Sequence, residues 1–201
     1  MTILPSIIAS DQKELNSLLK RYKSMSVHLD IMDGDFVKNK SLWFDFKLPK
    51  GKYEAHLMTT KPEMFIGKHY QDVDKFIVQI ETVSNVDDLI DFVQSVKRKI
   101  FFALKPETPI TKIKKHLKEI DGVLIMTVHP GKYGATFLPK MLNKVKAIRK
   151  LNKKIPIQVD GHMIPETISL AKSAGANIYV VGSYLHDVIN VKKAMKELEN
   201  S

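Results

Sequence analysis

Val27-His28-Leu29-Asp30-Ile31-Met32 alternates at every position. Side chains on a β-strand repeat every two residues, so His28, Asp30 and Met32 share one face and Leu29 and Ile31 the other. Seven more apolar, β-branched runs recur along the chain: Ile3–Ala9, Tyr53–Met58, Phe76–Glu81, Ile100–Lys105, Val123–Val128, Ile155–Asp160 and Ile178–Ser183. With the first they make eight, and their starts lie 23 to 32 residues apart. Segments of helical period separate them. Leu15, Leu18, Leu19 and Tyr22 form one apolar stripe, Val86, Leu89, Ile90 and Val93 another, and Met141, Leu142, Val145 and Ile148 a third. Ile168, Leu170 and Ala171 repeat the pattern less cleanly.

Helix starts are marked at Ser10-Asp11, at Asn85 with Asp87-Asp88, at Thr108-Pro109 and at Pro165-Glu166. Lys38–Lys50 holds Trp43 and Phe44 but no clean period, which predicts a loop with at most a short helix. Strands alternating with helices predict a parallel sheet with helices outside. Eight such units predict an α/β fold, a (β/α)8 TIM barrel forming a single compact domain over 1–201, near the lower limit of about 200 residues for that architecture. The competing open, doubly wound sheet usually carries a G-x-G-x-x-G turn after an early strand, and the chain has none.

The 201 residues include no Cys, which excludes a disulfide framework, a thiol nucleophile and a Cys-ligated metal. No window is apolar enough for a membrane span. MTILPSIIAS does not read as a signal peptide, so no membrane partner and a cytoplasmic location are expected. The formal charge is +10, but only Arg21, Arg98 and Arg149 are arginines. The lysines scatter over expected helix backs, which reads as a solvated surface rather than a nucleic-acid interface. That charge still favours anionic small molecules.

Catalytic residues of such barrels sit at the C-terminal ends of the strands. That end collects Ser6, His28, Asp30, Met32, His56 and Met58 from A-H-L-M, Met126, Asp160 from Q-V-D-G, and Gly182 with Ser183 from V-G-S. Two His and two carboxylates at one barrel mouth suit a divalent ion such as Zn²⁺, Fe²⁺, Mn²⁺ or Co²⁺. Buried charges without such a partner would be costly. Met32, Met58 and Met126 would give a soft apolar lining beside it. Two Gly-bearing loops could cradle a phosphate through backbone N–H groups: His129–Gly134, which holds Gly131 and Gly134, and Gly182-Ser183.

In order, the chain reads I-L-P-S-I-I-A-S, H-L-D-I-M-D-G-D-F-V, A-H-L-M, A-L-K-P-E-T-P, M-T-V-H-P-G, Q-V-D-G and V-V-G-S. These motifs, with their spacing, resemble those of the ribulose-phosphate 3-epimerase family across essentially the whole chain. The resemblance implies interconversion of D-ribulose 5-phosphate and D-xylulose 5-phosphate through an enediolate. It implies a divalent metal held by His28, Asp30, His56 and Asp160, with Asp30 and Asp160 as the acid/base pair. Ser6 matches a substrate-contacting serine, and the three methionines match residues packed over the reacting carbons. Gly131, Gly134, Gly161, His162, Gly182 and Ser183 complete the expected substrate site. The partner expected is a small sugar phosphate, and a homo-oligomer is left open.

The chain departs from the family at several points. Asp160-Gly161-His162 stands for D-G-G, and Pro130–Ala135, with Lys132 and Tyr133, stands for P-G-x-G-G-Q. Gln79 replaces a His, and K-N-K-S-L-W-F follows Val37. These changes at the phosphate end keep open a longer substrate, a hexulose 6-phosphate such as allulose 6-phosphate. A non-catalytic sugar-phosphate-binding barrel is the more distant alternative. Asp33 either supports the metal ligands or caps backbone N–H groups in the loop that follows it.

Overall fold

The computed structural model describes residues 1–131 and 134–201. The strands in chain order are β1 (Thr2–Ile7), β2 (Ser26–Asp33), β3 (Lys40–Ser41), β4 (Lys52–Met58), β5 (Lys75–Gln79), β6 (Lys99–Leu104), β7 (Gly122–Met126), β8 (Ile157–Asp160) and β9 (Ile178–Val181). All but β3 run parallel, each beside the next. The sheet closes because β1 pairs with β9 on one side and β2 on the other. The result is a closed eight-stranded barrel. The two-residue β3 lies antiparallel to the end of β2, opposite Met32 and Asp33.

Helices α1 (Gln12–Arg21), α2 (Pro62–His69), α3 (Val86–Ser95), α4 (Leu142–Leu151), α5 (Pro165–Ala174), α6 (Ser183–His186) and α7 (Val191–Glu199) surround it. Their starts follow the marked residues. Asp11 accepts a hydrogen bond from the Glu14 N–H at 2.8 Å, and the Glu14 carboxylate accepts from the Ser10 N–H. This reciprocal arrangement satisfies N–H groups that a helix start leaves open. The Asn85 side chain accepts from the Asp87 and Asp88 N–H groups at the start of α3, and Pro165 occupies the first turn of α5.

The segment opened by Thr108-Pro109 departs from the expected helix. It forms two separate 3₁₀ turns, Ile110–Lys112 and Lys114–His116. A continuous α-helix would use the Thr108 carbonyl to accept from the Lys112 N–H. Instead Lys144 Nζ, from α4, takes the carbonyls of Lys105, Pro106 and Thr108 at 2.9, 2.8 and 2.6 Å. The Lys112 N–H turns to Pro109 O. A distant cation thus outcompetes the local helical bond.

Two cores result. Outward-facing residues such as Leu29, Ile31, Leu57 and Val159 pack against the helices. Inside the barrel, Ile77, Phe101, Ala103, Leu124, Met126 and Val180 fill one half, while β2, β4 and β8 line the other with polar side chains. Gly122 makes room for this filling. A Cβ there would fall 2.3 Å from the Phe101 ring, which is 3% exposed. Gly122→Ala should therefore lower the unfolding free energy by about 1–3 kcal/mol through overpacking. Chemical denaturation checks this, and wild-type stability would contradict the assigned packing.

Candidate active site

Parallel pairing of β2 with β4 sets His28 opposite Glu54, Asp30 opposite His56 and Met32 opposite Met58. All six residues face the barrel interior, in three rungs rising toward the mouth. On the far side, Met126 is opposite Asp160. The middle rung forms the centre of the site. His28 Nε2 lies 3.4 Å from Asp30 Oδ1, which is 3.5 Å from His56 Nδ1. His56 Nδ1 is in turn 3.6 Å from Asp160 Oδ2. His28 Nε2, Asp30 Oδ1 and His56 Nδ1 are buried and have no hydrogen-bond partner among the described residues.

Four donor atoms within 4.8 Å of one another could hold a metal ion. Donors at about 2.0–2.2 Å from a tetrahedral ion stand about 3.4 Å apart, so the separations fit a divalent ion. The electrostatics agree. Burial opposes a charged His28, yet Asp30 and Glu54 outweigh it and push the imidazole up to about 10. Burial likewise opposes a charged Asp30, but His28 and His56 hold its carboxyl well below the usual range. His56 is raised, since Asp160 and Asp30 overcome both burial and repulsion from His28. The carboxylates thus favour positive charge among these four residues.

The sequence-predicted residues come together around one cleft. Ser6, Met32, Met58 and Met126 line it beside Asp30 and Asp160. Gly131, Gly134, Gly161, His162, Gly182 and Ser183 line the same cleft. Lys132 and Tyr133 lie outside the described residues. The turn after β8 is tight. Gly161 has φ 118°, and a Cβ there would sit 2.6 Å from Val128. His162 follows with φ 54° and an exposed side chain, so it occupies a left-handed position that favours Gly. Asn39 Nδ2 donates to Gly131 O, tying the loop after β2 across the cleft.

Asp33 takes the second of its two expected roles. Its Oδ1 accepts from the Asp35 and Phe36 N–H groups, both at 2.9 Å. Its Oδ2 accepts from the Thr60 N–H at 2.7 Å and the Thr59 hydroxyl at 2.9 Å. It clamps the loop after β2 to the loop after β4. Three polar residues escaped the sequence reading: Glu54 and Gln158, which meet His28, and Lys75, which meets Glu54. The signal was the alternation in Y-E-A-H-L-M, which puts Glu54 on the face of His56. Gln79, noted only as a departure, has its Nε2 2.9 Å from His56 Nε2. A second trio, Asp87, His116 and Glu119, brings His116 Nδ1 within 3.2 and 3.0 Å of two exposed carboxylates in the helical layer.

The model of the ribulose-phosphate 3 epimerase family matches residues 2–186. The chain belongs to this family. It is a family of isomerases, and the members compared align along nearly their whole length. The ribulose-phosphate 3-epimerase of Schizosaccharomyces pombe is 31% identical, over 99% of this chain and 92% of its own. That of Methanocaldococcus jannaschii is 32% identical, over 98% and 88%. Among solved structures, a 3-hexulose-6-phosphate synthase superposes with a TM-score of 0.68 at 16% identity, covering 100% of this chain and 99% of its own. The tryptophan synthase A-subunit from Pyrococcus furiosus does so at 0.69 and 17%, covering 100% and 98%. Both share the barrel fold. Among the described residues no helix of this family member is long and apolar enough to cross a membrane.

Two outcomes follow from the loop geometry. Burial opposes ionised Asp33, but the N–H groups of Phe36, Thr60 and Asp35 outweigh it and hold the carboxyl at about 2, against an ordinary 3.8. A lowered folded-state pKa stabilises above the ordinary value and is lost as pH falls through the folded one. Asp33 should thus contribute about 2 kcal/mol above pH 4 that disappears toward pH 2. Asp33→Asn should be less stable at pH 7 by about that amount and lose less on acidification, and parallel acid-unfolding curves would contradict this. At His162, replacement by Gly should not lower Tm, whereas the β-branched His162→Val should cost about 1–2 kcal/mol. A lower Tm for the Gly variant would remove the left-handed strain from the account.

Proposed function

We propose that the chain inverts C3 of a ketose phosphate, interconverting D-ribulose 5-phosphate and D-xylulose 5-phosphate, with Asp30 and Asp160 as the acid/base pair. One observation carries the proposal: two carboxylates reach the same cleft from β2 and β8, which have β1 and β9 between them in the closed sheet. Inversion needs one group to take a proton from one face of the carbon and another to return a proton to the opposite face. Two carboxylates on separated strands supply both groups, and each exchanges roles when the reaction runs backward.

His28, Asp30, His56 and Asp160 would hold the divalent ion. When bound, that ion supplies Lewis-acid stabilisation of the negative charge that C3 deprotonation delivers to the C2 oxygen. The protein's own groups do the rest. The side chains of Met32, Met58 and Met126 exclude water from the reacting carbons without offering a competing proton. Ser6 orients the sugar. Backbone N–H groups around Gly131, Gly134, Gly161, Gly182 and Ser183 receive the phosphate, with His162 at their margin. The chain's net charge of +10 draws the anionic substrate toward the cleft.

Turnover in D₂O followed by NMR tests this reading. Product should carry solvent deuterium at C3, and His28→Ala and His56→Ala should lose metal affinity and turnover together. Asp160→Asn should lose at least about 10²-fold in kcat, the usual scale for a general acid or base. Unlabelled epimerised product would exclude the two-acid proton-transfer scheme, and full turnover by Asp160→Asn would remove that residue from the chemistry. Running a hexulose 6-phosphate in parallel fixes the substrate. The pentulose 5-phosphate is expected to have the higher kcat/KM.

A further inference from the structure

Beneath the middle rung lies a polar floor that the acid/base scheme does not use. Glu54 is 5% exposed, and both of its carboxylate oxygens are engaged. Oε1 lies 2.5 Å from His28 Nδ1 and accepts from Gln158 Nε2. Oε2 pairs with Lys75 Nζ, which also reaches Gln158 Oε1 at 3.3 Å and sits 4.4 Å above the Phe101 ring. His28 therefore meets a carboxylate on each side. Nδ1 faces Glu54, and Nε2 faces Asp30 at 3.4 Å with no hydrogen bond of its own.

We infer that Glu54 is a positioning residue for the metal ligand His28, with Lys75 and Gln158 holding it in place. The inference rests on the metal reading above. An imidazole has two ring nitrogens, and only the deprotonated one can bind a metal. A carboxylate at Nδ1 accepts the N–H there. That fixes the tautomer in which Nε2 presents its lone pair toward Asp30 and His56. The negative charge also makes Nε2 a stronger donor, and such partners typically contribute 10- to 100-fold in metal affinity. Lys75 balances a buried carboxylate that would otherwise be costly beside Asp30. A neutral imidazole held by a backbone carbonyl would have its tautomer set but would lack this added basicity.

A purely structural ion pair would behave differently. Its loss would lower stability equally with and without metal and leave metal affinity unchanged. The test titrates Co²⁺ into metal-free wild type, His28→Ala, Glu54→Gln and the double variant Glu54→Gln/Lys75→Met. Calorimetry and the visible Co²⁺ spectrum give affinity, and Tm is measured with and without Co²⁺. The double variant leaves no buried charge unpaired, so it carries the test if the single one does not fold. Co²⁺ affinity should fall 10- to 100-fold in both Glu54 variants, with a smaller Co²⁺-induced rise in Tm. Wild-type Co²⁺ affinity in the double variant, while His28→Ala loses it, would overturn the positioning role. Equal binding by wild type and His28→Ala would instead overturn the metal reading, and this inference with it.

Discussion

The site depends on the register between β2 and β4. Parallel pairing aligns His28 with Glu54, Asp30 with His56 and Met32 with Met58, so three functional layers stack along one wall of the barrel. A slip of one residue in either strand would turn that strand's inward side chains into the helical layer and bring Leu29 and Ile31, or Leu57, inside. The apolar outer face prevents the slip. Those three residues are fully buried against the helices, and exposing them to the polar interior would forfeit several kcal/mol of burial. The packing that stabilises the barrel is thus the same packing that aims His28, Asp30 and His56 inward.

The barrel interior is divided to match. One half is apolar, closed by the Phe101 ring in the space that Gly122 leaves. The other half concentrates charge: three carboxylates, two imidazoles and one ammonium among Asp30, Glu54, Asp160, His28, His56 and Lys75. Such a group is tolerable inside a protein only when each charge meets its opposite. On the floor, Lys75, Glu54 and Gln158 satisfy one another. On the middle rung the lone pairs are left facing a common point, which suits a divalent cation. Above it, the methionines and the Gly-bearing turns line the cleft in which the proposed sugar phosphate would sit.

Much of this was legible because alternation and spacing are local properties. Val27–Met32 disclosed its inward face unaided, and Asp11 and Asn85 marked helix starts because a cap acts within three residues. The segment after β6 was illegible for the opposite reason. Its conformation is set by Lys144, some 36 residues from Thr108 in the chain, and no local pattern encodes that contact. Glu54 was overlooked since a lone Glu in a strand reads as solvent-facing, and only the closed barrel shows that its neighbours are Lys75 and Gln158. His162 stood out in the sequence as a departure from D-G-G. Its backbone angle, left-handed where the turn favours Gly, emerged only from the path of the chain after Asp160.

Anomalous diffraction from crystals grown with Co²⁺ tests the central claim most directly. The account predicts one strong peak in the barrel, about 2.0–2.2 Å from His28 Nε2, His56 Nδ1 and a carboxylate oxygen of both Asp30 and Asp160. A barrel without a peak, or an ion held only by Asp87, His116 and Glu119 in the helical layer, would contradict it.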